Sequence, residues 1–231
     1  MRVSIVTAAL GTSLMLTAAS AKAQTLEGIL FVSGNMDIYR AGGYHDGSNG
    51  VTPFAYTFPA GRGQVLAFAG IAGLWTCADG TANSAPWGPD GTGVAMGNHC
   101  YGFGANINNP TGPFSGYETT DFSGALVGVF LEDTLPSSAP PPLRFYVSDA
   151  SLGGIQTDFK LLSPLIGQVF FIGDGLTGTG SGNSQLFAVP PTATHLYLGY
   201  IDSCSNTGET SPGCYTDNAG AATAAFRLYR P

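Results

Sequence analysis

The sequence predicts an all-β protein, and three observations carry that expectation. The apolar residues come in short β-branched and aromatic runs, Gly and Pro are abundant at 34 and 15 residues while charged residues are only 10%, and no 3.6-residue periodicity persists past the N-terminal segment. Short runs with frequent turn signals point to a β-sandwich or barrel.

The first element is not expected to belong to the fold. Arg2, an apolar small-residue stretch from Val3 to Ala21, and the pattern Ala21-Lys22-Ala23 ahead of Gln24 read as a secretory signal over residues 1–23. The mature domain then spans 24–231, a length that suits a single all-β domain. Cleavage removes Arg2 and Lys22, two of the eight basic residues, leaving six against fifteen acids and a net charge of −9. That balance argues against a nucleic-acid partner. No later stretch is long and apolar enough to span a membrane, so the expectation is a soluble protein that is secreted, periplasmic or held at the cell surface.

Eight strands are expected: Gly28–Ser33, Gly63–Gly70, Ala125–Leu131, Leu143–Val147, Gln168–Ile172, Gln185–Val189, His195–Ile201 and Ala222–Tyr229. Turn signals such as Phe58-Pro59-Ala60-Gly61, Gly88-Pro89-Asp90-Gly91 and Val189-Pro190-Pro191 bound them. In the run from His195 to Ile201 the residues alternate, with Leu196 and Leu198 on one face and His195 and Tyr197 on the other. Gly173–Ser184 reads as a hairpin loop. Two longer excursions, Leu74 to about Phe122 and Asp202 to about Ala221, are rich in Gly, Asn and Asp, and each holds two cysteines.

Four cysteines in an exported chain predict two disulfides, and proximity favours Cys77–Cys100 and Cys204–Cys214 over the other connectivities. The rival reading, a zinc site, lacks C-x-x-C spacing.

The second excursion, Tyr200-Ile201-Asp202 through Cys214-Tyr215-Thr216-Asp217-Asn218, gathers oxygen donors where one strand ends and the next begins. Calcium takes six to eight such oxygens from carboxylates, amides and carbonyls. Asp and Asn are also common turn residues, and no EF-hand spacing is present. The residues themselves leave both readings open.

Several segments, in order, resemble a known family: Gly63-Gln64-Val65 to Gly70, Trp87-Gly88-Pro89-Asp90-Gly91, Phe122-Ser123-Gly124-Ala125-Leu126-Val127, Leu165-Ile166-Gly167, and Tyr200-Ile201-Asp202 with Cys214-Tyr215-Thr216-Asp217-Asn218-Ala219-Gly220. Together they are similar to the calcium-dependent galactophilic lectins of bacteria (PA-IL-like), over most of the mature chain. The resemblance implies a jelly-roll type β-sandwich of the galactose-binding-like kind, with Ca2+ as cofactor and a carbohydrate as partner. In that family the sugar completes the calcium shell through two neighbouring hydroxyls. Carried over, the metal ligands are Asp202, the main-chain carbonyl of Cys214, Asp217, Asn218, and a main-chain carbonyl near Thr76 or Cys77. The implied sugar-binding residues are Asp202, Asp217 and Tyr215, with Asn98 and His99 near the positions of the family's sugar-contacting side chains. Family members can be oligomeric, so a homo-oligomer is a further implication. Trp75 and Trp87 join Tyr215 as candidate apolar platforms for a pyranose.

The chain departs from the family where Asp217 replaces an asparagine, where the loop from Asp202 to Cys214 is longer, and where Ala95 and Asn98 stand at the sugar-contacting positions, which leaves the sugar open. The alternative is a structural or adhesive surface protein stabilised by calcium without sugar binding. The protein is not expected to be an enzyme: no G-x-S-x-G elbow exists, His45, His99 and His195 are scattered, and a carboxylate pair would need Glu118 or Asp121 to meet Asp90.

Overall fold

The computed structural model describes residues 28–45, 47–76, 86–91, 112–119, 124–145, 155–202 and 215–231. Numbered in chain order, the strands among them are β1 (Gly28–Ser33), β2 (Ala55–Thr57), β3 (Val65–Thr76), β4 (Tyr117–Thr119), β5 (Val127–Leu131), β6 (Leu143–Phe145), β7 (Leu161–Leu162), β8 (Phe170–Phe171), β9 (Leu176–Gly178), β10 (Ser181–Ser184), β11 (Leu186–Ala188), β12 (His195–Gly199) and β13 (Ala219–Tyr229). A short 3-10 segment, Ile38–Gly43, follows β1. The protein is all-β, with two larger sheets and two two-stranded pairs among the described residues. No helix among the described residues is long and apolar enough to cross a membrane.

Two sheets build the framework. One has the order β1-β13-β3-β11-β7 and is antiparallel except for the β11–β7 pair; the other, β2-β12-β5-β8, is antiparallel throughout. Strict alternation in β13 buries Ala222, Ala224, Phe226 and Leu228, and in β12 it buries Leu196 and Leu198. Those inward rows meet through aromatic contacts that cross between the sheets: Tyr56 meets Phe226 edge-on at 4.7 Å, and Phe170 lies 5.3 Å from Phe187. Such pairs add to the burial of their large apolar area and fix which faces oppose.

β5 differs because all five of its residues, Val-Gly-Val-Phe-Leu, are buried. An uninterrupted apolar run reads as a strand covered on both faces. Its second face lies under the Ile38–Gly43 segment, where Leu131 approaches Gly42, and beside the β4–β6 pair, where Phe145 meets Tyr117 and Phe171. Gly128 is required in its middle, since a Cβ there would stand 2.9 Å from the Phe170 ring.

β3 runs on to Thr76, six residues past its expected end. Its long pairing with β13 accounts for that, extending from Val65↔Tyr229 to Thr76↔Ala219. The glycines that look like punctuation are there for close approach: Gly220 has φ +86°, and a Cβ on it would come within 2.3 Å of the Leu74 carbonyl oxygen.

The Gly173–Ser184 stretch is an ordered hairpin, β9 with β10, and its base carries a pH-sensitive contact. Asp90 Oδ1 accepts the Asp174 N–H at 2.9 Å. Burial, followed in size by hydrogen bonding that opposes it and by the Asp174 charge, raises the Asp90 carboxyl above its usual range. A raised acid is favoured neutral in the fold, so this group's contribution rises as pH falls through its folded pKa and is unfavourable above it. Asp90→Asn keeps an acceptor and removes the charge. It is expected to raise the melting temperature modestly at neutral pH and to flatten the acid-side rise, as thermal melts across a pH series would show.

Candidate functional site

The joined ends of β1, β12 and β13 bring the oxygen-rich residues together. Asp37, the residue that opens the 3-10 segment, forms a parallel bridge with Tyr200 just past β12. Gly34 N–H donates to the Gly220 carbonyl at 2.9 Å, which ties the end of β1 to the start of β13. Asn218 Nδ2 donates to the Gly34 carbonyl at 2.9 Å, fixing the amide so that Oδ1 is its acceptor end. That Oδ1 is buried and receives no hydrogen bond.

Tyr215 is the centre of the cluster. Its hydroxyl donates to the Tyr200 carbonyl at 3.2 Å and accepts the Asp202 N–H at 3.0 Å, while its own N–H donates to Asn49 Oδ1 at 3.1 Å. Burial, followed by the charges of Asp37 and Asp202, raises its phenol well above the usual value. The hydroxyl therefore stays protonated, and two carboxylates share its neighbourhood. Asp37 is fully buried. Its Oδ1 accepts the Tyr39 N–H at 2.9 Å and its Oδ2 accepts the Ser48 hydroxyl at 2.5 Å. Arg40 holds the turn opposite through the Ser48 and Gly50 carbonyls. A Cβ on Gly50 would overlap Asp37 and Tyr215, so this turn closes directly over the pair.

Of the expected site residues, Asp202, Tyr215 and Asn218 are brought together. Asp217 is adjacent and exposed, as are Thr216 and Asn49, which share a hydrogen bond at 3.3 Å. Tyr215 is only 3% exposed, so its ring is not a platform for a ligand. Trp75 and Trp87 are core residues: Trp75 stacks on Tyr200 at 4.1 Å, and both indole N–H groups donate to the Gly124 carbonyl. Cys77, Asn98, His99, Cys100, Cys204 and Cys214 lie outside the described residues, as does the signal at 1–23.

The disulfide expectation is not supported: Cys77, Cys100, Cys204 and Cys214 all lie outside the described residues, among which there is no disulfide-bonded pair. The strand ends that the Cys204–Cys214 bridge was expected to close are joined by the Tyr215 and Asn218 hydrogen bonds.

Asp37, Asn49 and Ser48 were not expected from sequence. The available signal was a lone acid in the apolar run Met36-Asp37-Ile38-Tyr39 immediately after a strand. Among the described residues no group of three or more His, Cys, Asp or Glu side chains could hold a metal. What this end of the fold does gather is two carboxylates with amide and main-chain oxygens around Tyr215.

At the other end of β12 an open cleft of about 310 Å³ is lined by Phe54, Glu132, Asp133, Leu135, His195 and Tyr197, among others. Thr194 Oγ1 donates to Asp133 Oδ1 at 2.7 Å and lies 2.8 Å from His195 Nδ1. Asp133 Oδ1 is also 3.6 Å from that same Nδ1. A catalytic relay needs the hydroxyl and the carboxylate on opposite ring nitrogens, and here both meet one. The carboxylates considered for glycoside chemistry are engaged separately: Glu118 pairs with Arg144 at 2.5 Å, and Asp90 with the Asp174 N–H.

No family model matches this chain, and neither a curated protein nor a solved structure does.

Proposed function

We propose that the protein is an exported, calcium-dependent carbohydrate-binding protein with a jelly-roll type, galactose-binding-like sandwich. The observation that carries this reading is the buried Asn218 Oδ1 with no donor, at the strand ends where Asp202 and Asp37 both act on Tyr215. An acceptor-only oxygen in that setting is satisfied by a cation or a donor. Asp202, Asn218 and Asp37 would hold the ion, and exposed Asp217, Asn49 and Thr216 rim the same end, where they can take hydroxyl hydrogen bonds. Bound calcium would neutralise the carboxylates and bind neighbouring sugar hydroxyls. Burial of Asp37 and Tyr215 favours a second reading, in which calcium only holds the loop ends in place.

Thermal melts separate the two. Under the lectin reading calcium raises the melting temperature, and a binding sugar raises it again only when calcium is present, because a ligand stabilises only through a site the folded state offers. A calcium shift that no sugar in a broad panel extends supports the structural reading. No calcium shift at all overturns both.

A further inference from the structure

The outward face of the five-stranded sheet carries few of the polar residues that a solvated sheet face normally has. Of the nine large hydrophobic side chains exposed among the described residues, five lie on it: Ile29, Phe31, Leu74, Leu161 and Leu186. Register places them in rows. Phe31 is level with Thr223 and Ala72, Ile29 with Ala225 and Gly70, and Ala221 with Leu74; Leu186 pairs with Ala67 on one side and Leu161 on the other. Between Phe31 and Ile29 on one side and Leu74 on the other, the register places the smaller Thr223, Ala221, Ala225, Gly70 and Ala72. Among the outward positions of these strands the one charge is Arg227, near the end of β13.

The corresponding face of the other sheet is covered by the Ile38–Gly43 segment and the β4–β6 pair, which is why β5 is buried throughout. On the five-stranded sheet Ile29 is 60% exposed, Leu74 57% and Phe31 53%. At ~4.8 Å between strands and ~3.4 Å per residue, its strands present roughly 550 Å² each way, so a pair of such faces buries about 1,100 Å². That reaches the ~1,000 Å² a specific association needs, and it lies at the upper limit of the ~300–600 Å² apolar patch a monomer tolerates.

We propose that a second copy of this chain covers this face, giving a two-fold dimer with its five-stranded sheets packed face to face. An isologous pairing needs a surface complementary to itself, and an almost uncharged sheet face avoids like-charge repulsion between copies even in a chain of net charge −7. This inference is independent of the calcium site, which lies among the strand-end loops. In a dimer, two sugar sites per particle would add avidity.

Sedimentation velocity of the whole chain over a concentration series tests it, with Phe31→Glu, Leu74→Glu and the off-face control Phe54→Glu. All three side chains are more than half exposed, so folding should survive, as near-ultraviolet circular dichroism would check. The expected result is a wild-type particle of twice the chain mass, association weakened at least about tenfold in favour of monomer by either face substitution, and no change from Phe54→Glu. A wild-type monomer throughout the series overturns the proposal, as does a dimer that both face variants leave intact. A monomer for the whole chain with a dimer for residues 24–231 also overturns it, by making the apolar N-terminal segment the occupant.

Discussion

Trp75→Ala is expected to cost about 3–5 kcal/mol of folding stability, the range for truncating a large aromatic in a packed core. Trp75 is 1% exposed, its ring lies stacked on Tyr200 at 4.1 Å and edge-on to Trp87 at 5.2 Å, and its backbone exchanges two hydrogen bonds with Trp87. Removing the ring opens a cavity directly beneath the strand end that carries Asp202. Native domains have only ~5–15 kcal/mol in total, so much of the margin goes with one side chain. Trp75→Phe keeps most of the stacking and loses the 2.8 Å hydrogen bond to Gly124, whose carbonyl still receives Trp87 Nε1 at 3.3 Å. That variant should lose only about 1–2 kcal/mol. Urea unfolding of both measures the difference, and a loss under 1 kcal/mol for Trp75→Ala would mean that the indole does not belong to the core.

Asp37→Asn is expected to separate calcium binding from packing. The amide keeps an oxygen for the Tyr39 N–H, and the Ser48 hydroxyl can turn to accept instead of donating. Without calcium, replacing a fully buried charge by a neutral amide of the same shape should leave the melting temperature unchanged or higher. With calcium, the stabilisation should largely disappear, because affinity in oxygen sites follows the number of negative ligands. Asp202→Asn should behave in the same way, with calcium affinity lowered by roughly 100-fold. Calorimetric titration and melts in both buffers check this. Equal destabilisation with and without calcium would assign both acids to structure alone.

Much of the framework was legible because alternation is a local signal. β1 has the bounds the sequence predicts, and the Leu196/Leu198 face of β12 is the buried one. The two- and three-residue strands β2, β4 and β7 were not foreseen, because their pairing comes from distant partners rather than from a pattern of their own. β3 was cut short at Gly70, where glycine serves a close approach of β13 instead of a turn.

The site divides in the same way. Asp202 and Asn218 follow from their places at two strand ends, whereas Tyr215, expected as a sugar platform, is a buried hydrogen-bonding residue, and Asp37 and Asn49 reach it across the topology, Asn49 from 166 residues away in sequence. The tryptophans were ambiguous for a physical reason. An indole can serve a sugar face or a core equally well, and the Gly124 carbonyl that satisfies both N–H groups is visible only in the fold.

The central claim is tested most directly by binding of the whole chain to a broad glycan array in calcium and again in EDTA, with Asp202→Asn alongside. The account expects signal on a coherent set of glycans that share a pair of neighbouring hydroxyls, lost in EDTA and lost in the variant. Absence of glycan signal from folded, calcium-loaded protein, or signal that persists in EDTA, would contradict it.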